Sequence, residues 1–279
     1  GLANIGQLVI TADGNLTAGL ISDFPDRDTE TDSFVKGIQS QYEAELEQVA
    51  AHTDVSLTTV SESGIRLIRS RETNLGDFCA DAYRAIAGAD IAFANGGGIR
   101  ADIQEGDITY GDIIAVHPYG NTLCVAEATG QEILDALEMA SRSTMAETGD
   151  GENAVGENGG FLQVSGLKYT IDTSIPSTVE VDEAGMFVSC GENRRVKEVE
   201  VLQKDGSYAP IDPGKTYTLA SHNYLIKQGG DGLNMFMDNT LTMNEGMLDY
   251  QVLITYITDH LGGTVGSDYA QPQGRITVQ

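Results

Sequence analysis

The chain has 279 residues, 41% of them hydrophobic, enough for one large core or a core with an appendage. Its 42 acidic residues against 16 basic ones give a formal charge of -26, a field that repels phosphate backbones and anionic lipid surfaces, so nucleic-acid and membrane partners are not expected. An anionic ligand would have to be captured locally, by a few arginines working against that field.

In chain order, residues 5–21 alternate apolar and polar positions around Asp13-Gly14-Asn15, which predicts a hairpin. From Asp28 to about His52, residues Phe34, Val35, Ile38, Tyr42, Leu46 and Val49 recur at helical spacing, which predicts an amphipathic connector helix over residues 28–54. The body of the chain is expected from residue 55. Thr73 or Asn74 caps a helix with the apolar face Leu75, Phe78, Ala82, Tyr83 and Ile86, ending at Gly88. A buried strand over residues 91–94 runs into Asn95-Gly-Gly-Gly-Ile-Arg100. Beyond it are expected a turn at Glu105-Gly106-Asp107, a short apolar segment over 113–116, the loop His117-Pro118-Tyr119-Gly120-Asn121, a strand over 122–128 and a helix over 131–142. Residues 147–160, rich in Gly, Glu and Asn, read as a mobile acidic loop. Strands follow over 161–171, 196–203 and 216–222, with a hairpin signal at Asp205-Gly206, and a last helix over about 246–261.

Cys79, Cys124 and Cys190 are widely spaced and odd in number, so they form neither a disulfide framework nor a Cys-x-x-Cys metal pair. No apolar run reaches the length of a membrane span, and the first residues lack the pattern of a signal peptide. The opening Gly-Leu-Ala-Asn, without Met, reads as a segment of a longer polypeptide.

Three consecutive glycines let the backbone come close to a ligand with no Cβ in the way, and Arg100 adds a planar, permanently charged fork of donors. A tight turn would also account for the glycines. The loose dinucleotide pattern Gly96-x-Gly98-x-x-Ala101 fails on context, because Gly106 and its polar neighbours leave no helix to hold a pyrophosphate. Gly229-Gly230-Asp231-Gly232 offers a carboxylate that can accept two ligand hydroxyls, or a turn whose Asp caps amides. Tyr119 and Tyr224 stand beside turn residues, where two rings could enclose a flat heterocycle. Arg66, Arg69 and Arg71 form either a local anion site or a solvated face. The four histidines show no metal-binding spacing, and no Ser or Cys is placed as a nucleophile. Binding groups are present without chemistry groups.

Taken in order, Glu72-Thr-Asn-Leu-Gly76, Asn95-Gly-Gly-Gly-Ile-Arg100, Gly106-Asp-Ile-Thr-Tyr110, Pro118-Tyr-Gly-Asn121, Gly160-Phe-Leu-Gln-Val-Ser-Gly166 and Gly229-Gly-Asp-Gly232 resemble the C-terminal domain of the 5'-nucleotidase family over about residues 55–265. The resemblance implies an α+β fold with four α/β/β/α layers that recognises a nucleoside or nucleotide. Residues 1–27 would be the end of a preceding metallophosphoesterase domain of the same polypeptide, and 28–54 the connector. That N-terminal domain would hold two divalent metal ions, Zn, Mn or similar, and cleave the phosphate ester, so this chain is expected to contain no metal, cofactor or catalytic residue and to be inactive alone.

By the same resemblance Tyr119 and Tyr224 would stack the base, and Asn95, Gly98 and Asn121 would lie near the nucleoside. Asp231 would hold the ribose hydroxyls, and Arg69 and Arg100 would face ribose and phosphate. Between Tyr224 and Asp231 the chain carries one residue more than the family spacing. Family members are mostly exported, which implies an extracytoplasmic location. A stand-alone nucleoside-binding module and a surface interaction module without hydrolase activity are the alternatives. Metallophosphoesterase motifs in the upstream coding region would decide for the enzyme.

Overall fold

The computed structural model describes residues 4–22, 27–147 and 156–279, so residues 148–155 of the expected acidic loop lie outside the described residues. The chain divides into two units, Gly1–Glu47 and Gln48–Gln279. In the first, β1 (Ile5–Ile10) and β2 (Leu16–Ile21) form the expected antiparallel hairpin. Its helix α1 (Thr29–Leu46) opens at Asp28, whose carboxylate accepts the Thr31 amide N–H at 2.8 Å.

That helix is shorter than the connector expected over residues 28–54. The segment Val49–Thr53 forms strand β3, with Ala51 and Thr53 buried at a spacing of two. Val49 follows Leu46 at helical spacing in sequence, but the β-sheet period and the available partner strands decide its conformation.

From there the second unit continues with α2 (Asn74–Ala87), β4 (Ile91–Asn95), β5 (Gly106–Thr109), α3 (Tyr110–Val116), β6 (Leu123–Thr129), α4 (Gly130–Ser141), β7 (Leu162–Ser165) and β8 (Leu167–Ile171). It ends with β9 (Val179–Val181), β10 (Phe187–Cys190), β11 (Val196–Leu202), β12 (Tyr208–Pro210), β13 (Thr216–His222), α5 (Asn223–Ile226), β14 (Leu241–Met243), α6 (Asp249–Thr255), β15 (Thr264–Val265) and β16 (Ile276–Val278). This is the expected α+β class.

The central sheet has the order β14-β6-β13-β4-β7, and all its neighbours are antiparallel except β13 and β4. Side chains alternate across it. Ile91, Phe93, Cys124, Ala126 and Leu219 pack with α4 and the second sheet, β12-β11-β8-β16. Ala92, Ala94, Leu123, Val125 and Ala220 face the other way, onto α2, α3 and α6. A third sheet, β15-β3-β5, completes the unit's major pairings.

The helix over 74–87 is built as its sequence predicts: Thr73 accepts the Gly76 N–H at 3.0 Å, Gly88 closes it at φ 61°, and Leu75, Phe78, Ala82 and Tyr83 are fully buried. Three expectations need correction. Residues 161–171 are two strands, β7 and β8, in different sheets, because Gly166 turns the chain at φ 77° with the Asp90 carbonyl where a Cβ would be. Gly106 and Asp107 begin β5 instead of closing a turn, since this edge pairs with β3. The last helix starts at Asp249 and passes into a π-type turn over Tyr256–His260.

Much of the Glu72–Gly76 motif is structural. The Glu72 carboxylate accepts the amides of Arg275 and Ile276, both at 2.9 Å, and so anchors β16. The Asn74 amide donates to the carbonyls of Ser56 and Tyr269.

Candidate functional site

Strands β4 and β13 run parallel, so their C-terminal ends, Asn95 and His222, emerge side by side at one edge of the central sheet. Such an edge is where open α/β sheets place ligands. Here it opens into a cleft of about 410 Å³ lined by Arg69, Asn95, Gly97, Gly98, Arg100, Tyr119, Asn121, Gly159, His222, Tyr224 and Asp231. All eight residues that the family resemblance assigns to the ligand are among them.

One wall is a chain of hydrogen bonds. His222 Nε2 meets Asn95 Oδ1 at 2.9 Å, Asn95 Nδ2 donates to Asp231 Oδ2 at 2.7 Å, and the Tyr224 hydroxyl donates to Asp231 Oδ1 at 3.3 Å. The Asp231 amide donates back to the same hydroxyl at 3.2 Å. Asp231 is held at φ 57°, between Gly229 and Gly232, both also at positive φ. Helix α5 and this turn carry the chain from Tyr224 to Asp231. Burial, and then the nearby Asp231 charge, push the Tyr224 hydroxyl pKa up.

Beneath the glycine loop lies a second buried histidine. His117 Nδ1 meets the Gly98 carbonyl at 3.3 Å and Nε2 meets the Tyr83 hydroxyl at 3.4 Å. A carbonyl only accepts, so Nδ1 carries the proton and Tyr83 donates to Nε2. Burial lowers the pKa of His117 to about 4 and of His222 to about 3, so both rings are neutral near pH 7.

The three glycines serve the protein more than a ligand. A Cβ at Gly96 would stand 2.1 Å from the Ile68 carbonyl, one at Gly97 2.9 Å from the Gly159 carbonyl, and one at Gly98 2.7 Å from Asn95 Oδ1. The Gly97 amide also donates to Gly159 O at 2.7 Å. Close packing of loop on loop therefore requires these glycines, and Gly97 and Gly98 show only part of their backbone to the cleft. At Gly230 a Cβ would fall 2.3 Å from the Tyr224 ring, so that glycine seats the ring.

The arginine cluster separates by role. Arg66 forms a two-pronged pair with Glu157, at 2.7 and 2.6 Å, and Arg71 donates to the carbonyls of Ser70, Met145 and Ala146. Only Arg69 of the three reaches the cleft, where Arg100 joins it. Burial, then the like charges of Arg66 and Arg100, lower the pKa of Arg69. Two cations thus line the same cleft as the Asp231 carboxylate, in a chain of charge -26.

Comparison with known proteins agrees with the motif pattern. The family model described as "5'-nucleotidase, C-terminal domain" matches residues 49–238. The chain belongs to the 5'-nucleotidase C-terminal domain family. It is 36% identical over 237 residues to the trifunctional nucleotide phosphoesterase protein YfkN of Bacillus subtilis, covering 81% of this chain and 14% of that protein. It is 33% identical over 223 residues to a cell wall protein of Listeria monocytogenes, covering 75% of this chain and 24% of the relative. Among solved structures, the 5'-nucleotidase precursor of Thermus thermophilus superimposes with a TM-score of 0.72 at 30% identity, over 99% of this chain and 50% of that one. The chain thus spans half or less of the length of each of these three relatives.

Within this 5'-nucleotidase C-terminal domain, the sequence reading missed His222 and Gly159 as cleft residues and named Gly97 only as part of the glycine run. His222 stands at the end of an apolar strand two positions before Tyr224, and Gly159 sits just before the Gly160-Phe-Leu-Gln motif. Those placements were the available signals. Among the described residues, no group of three or more His, Cys, Asp or Glu side chains is placed to hold a metal ion.

Proposed function

We propose that this domain recognises the nucleoside part of a nucleotide for a metal-dependent 5'-nucleotidase-type hydrolase. The observation that carries the reading is the meeting of two arginines, a hydrogen-bonded carboxylate and two tyrosines in one cleft of about 410 Å³. Tyr119 and Tyr224 supply flat faces for a base, contributing about 1–3 kcal/mol per stacked base. Asn121 offers the base edge both a donor and an acceptor. Asp231, with two lone-pair directions already engaged by Asn95 and Tyr224, accepts ribose hydroxyls with the others. Arg69 and Arg100 meet ribose and phosphate, and Asn95 and Gly98 form the wall between them.

Hydrolysis itself would need two divalent metal ions, and the described residues offer no fitting set of donors, so no step of the chemistry is assigned to them. The metal centre belongs to a metallophosphoesterase domain that we place N-terminal to this one in the same polypeptide. Accordingly, the chain alone is inactive. Phosphate release from AMP by the purified chain with Mn²⁺, above that of a Tyr119→Ala control, would overturn this. Location outside the cytoplasm is part of the proposal, supported by the relative named as a cell wall protein. No helix among the described residues is long and apolar enough to cross a membrane.

Titration with adenosine, UMP and a UDP-sugar tests the cleft directly. Saturable binding that weakens in Tyr119→Ala is the expected result. Absence of saturation at millimolar concentration for all three would sink the reading.

A further inference from the structure

His222 is 2% exposed and Asn95 5% exposed, on adjacent parallel strands. Their contact has a defined polarity. Asp231, as a carboxylate, can only accept, so the Asn95 NH₂ must face it and the Asn95 carbonyl oxygen must face His222. The neutral His222 ring therefore carries its single proton on Nε2 and donates it. Nδ1 is then a buried acceptor, and no hydrogen-bond partner is found for it among the described residues. A phenylalanine would fill the same space beside Tyr83, whose ring meets His222 edge-on at 6.2 Å, without leaving an unpaired nitrogen. The histidine thus keeps a polar atom that packing alone does not need, and its one engaged atom points at Asn95.

We propose that His222 is a positioning residue: by donating Nε2–H to Asn95 it locks the orientation of that amide, which locks the Asp231 carboxylate in its hydroxyl-accepting pose. The inference rests on the reading of Asp231 as the group that holds ribose hydroxyls. It assigns His222 a selective effect on the sugar, exerted through the two intervening side chains of Asn95 and Asp231.

The test compares adenosine with 2',3'-dideoxyadenosine, which keeps the base and lacks both hydroxyls. In the wild-type chain, adenosine should bind at least tenfold more tightly. His222→Phe should bring that ratio to within threefold of one, chiefly by weakening adenosine, and His222→Gln, which restores an N–H donor of similar reach, should recover most of it. Retention of the full ratio in H222F, or equal weakening of both ligands, would overturn the proposal. Imidazole nitrogen chemical shifts of the wild-type protein give a measurement independent of whether H222F folds. The Nε2–H tautomer at His222 is expected, and an Nδ1–H tautomer overturns the proposal. A wild-type ratio near one, unchanged by Asp231→Ala, would instead remove the hydroxyl reading of Asp231 on which the inference stands, whatever His222 does.

Discussion

The two sides of the cleft are built in opposite ways. On one side, Asn95, His222 and Asp231 are joined by hydrogen bonds whose members are buried or half-buried, so their positions are fixed before any ligand arrives. On the other, Tyr119 is 60% exposed, at the tip of a loop turned by Gly120 at φ 65°. That loop is tied down at its two ends, by buried His117 at its start and, at its close, where the Asp249 amide donates to the Asn121 carbonyl and the Thr122 amide donates to the Asn223 side chain, while the Tyr119 tip stands free between them. A prebuilt polar wall suits a constant part of a ligand, such as a sugar. An open aromatic wall suits a part that varies, because a stacked ring accepts any flat base.

The largest effect should come from breaking the fixed wall. Asp231→Ala removes the acceptor of two protein hydrogen bonds and of the ribose hydroxyls in the proposed pose. A hydrogen bond to a charged group contributes about 1.5–3 kcal/mol, so adenosine binding measured by calorimetry should weaken roughly 10- to 100-fold.

Next in size is Gly230→Ala, which forces a methyl into the Tyr224 ring. Overpacking of this kind costs about 1–3 kcal/mol, read as a lowered denaturant midpoint. Base and sugar binding should fall together, since the ring and Asp231 move as one. A variant as stable as wild type would show that the ring has room to shift, and that the wall is less rigid than its contacts imply.

Tyr119→Ala should do the reverse. At an exposed tip the loss of stacking is expected at the low end, about 1 kcal/mol or roughly fivefold in affinity, with folding stability changed by less than about 0.5 kcal/mol. The adenosine to dideoxyadenosine ratio should stay as it was. A change in that ratio would mean that the two walls are coupled.

The smallest effect concerns the anchor of the open loop. Asp249 is buried, one carboxylate oxygen has no partner among the described residues, and burial raises its pKa to about 6, against opposing hydrogen bonds from Tyr250 and Asn121. Between its ordinary pKa of 3.8 and about 6 the folded state holds more protons than the unfolded one. Its contribution to stability is therefore full below about 3.8 and is lost as pH rises through 6. Asp249→Asn abolishes this dependence, so the thermal midpoint of the variant relative to wild type should rise from pH 4 to pH 7. The two histidines tilt the wild-type curve the other way over part of that range, since lowered pKa values lose stability as pH falls from 6.5 toward about 4 and 3, but they are common to both proteins and drop out of the difference.

Much of this was legible from sequence because the signals were local. Thr73 and Gly88 delimit a helix by capping chemistry, and the loops at 95–100, 118–121 and 229–232 announce themselves by composition. What sequence could not supply was the identity of distant neighbours. The three glycines invite a ligand on paper, yet the atoms against them are Ile68, Gly159 and Asn95. The role of His222 depends on a partner 127 residues away, brought beside it by strand pairing. Arg66 and Arg71 looked equivalent to Arg69 until Glu157 and the carbonyls of Met145 and Ala146 engaged them. Gly166 sits inside a run that keeps strand-like apolar and polar alternation on both sides, from Leu162 to Ile171, so the pattern does not show that the chain changes sheets there.

The parallel pairing of β4 and β13 within a mostly antiparallel sheet has a consequence for how the cleft can be altered. Both strands release their chains at the same edge, and neither release point is a tight hairpin whose length dictates strand register. Residues can therefore be added between Ile226, the last core residue of α5, and Gly229 while the pairing of Leu219 with Ile91 and of Ala220 with Ala92 stays as it is. An engineer seeking a different nucleoside preference would vary the length of that segment first, using the sheet as an unchanging mount and the loops as exchangeable fittings.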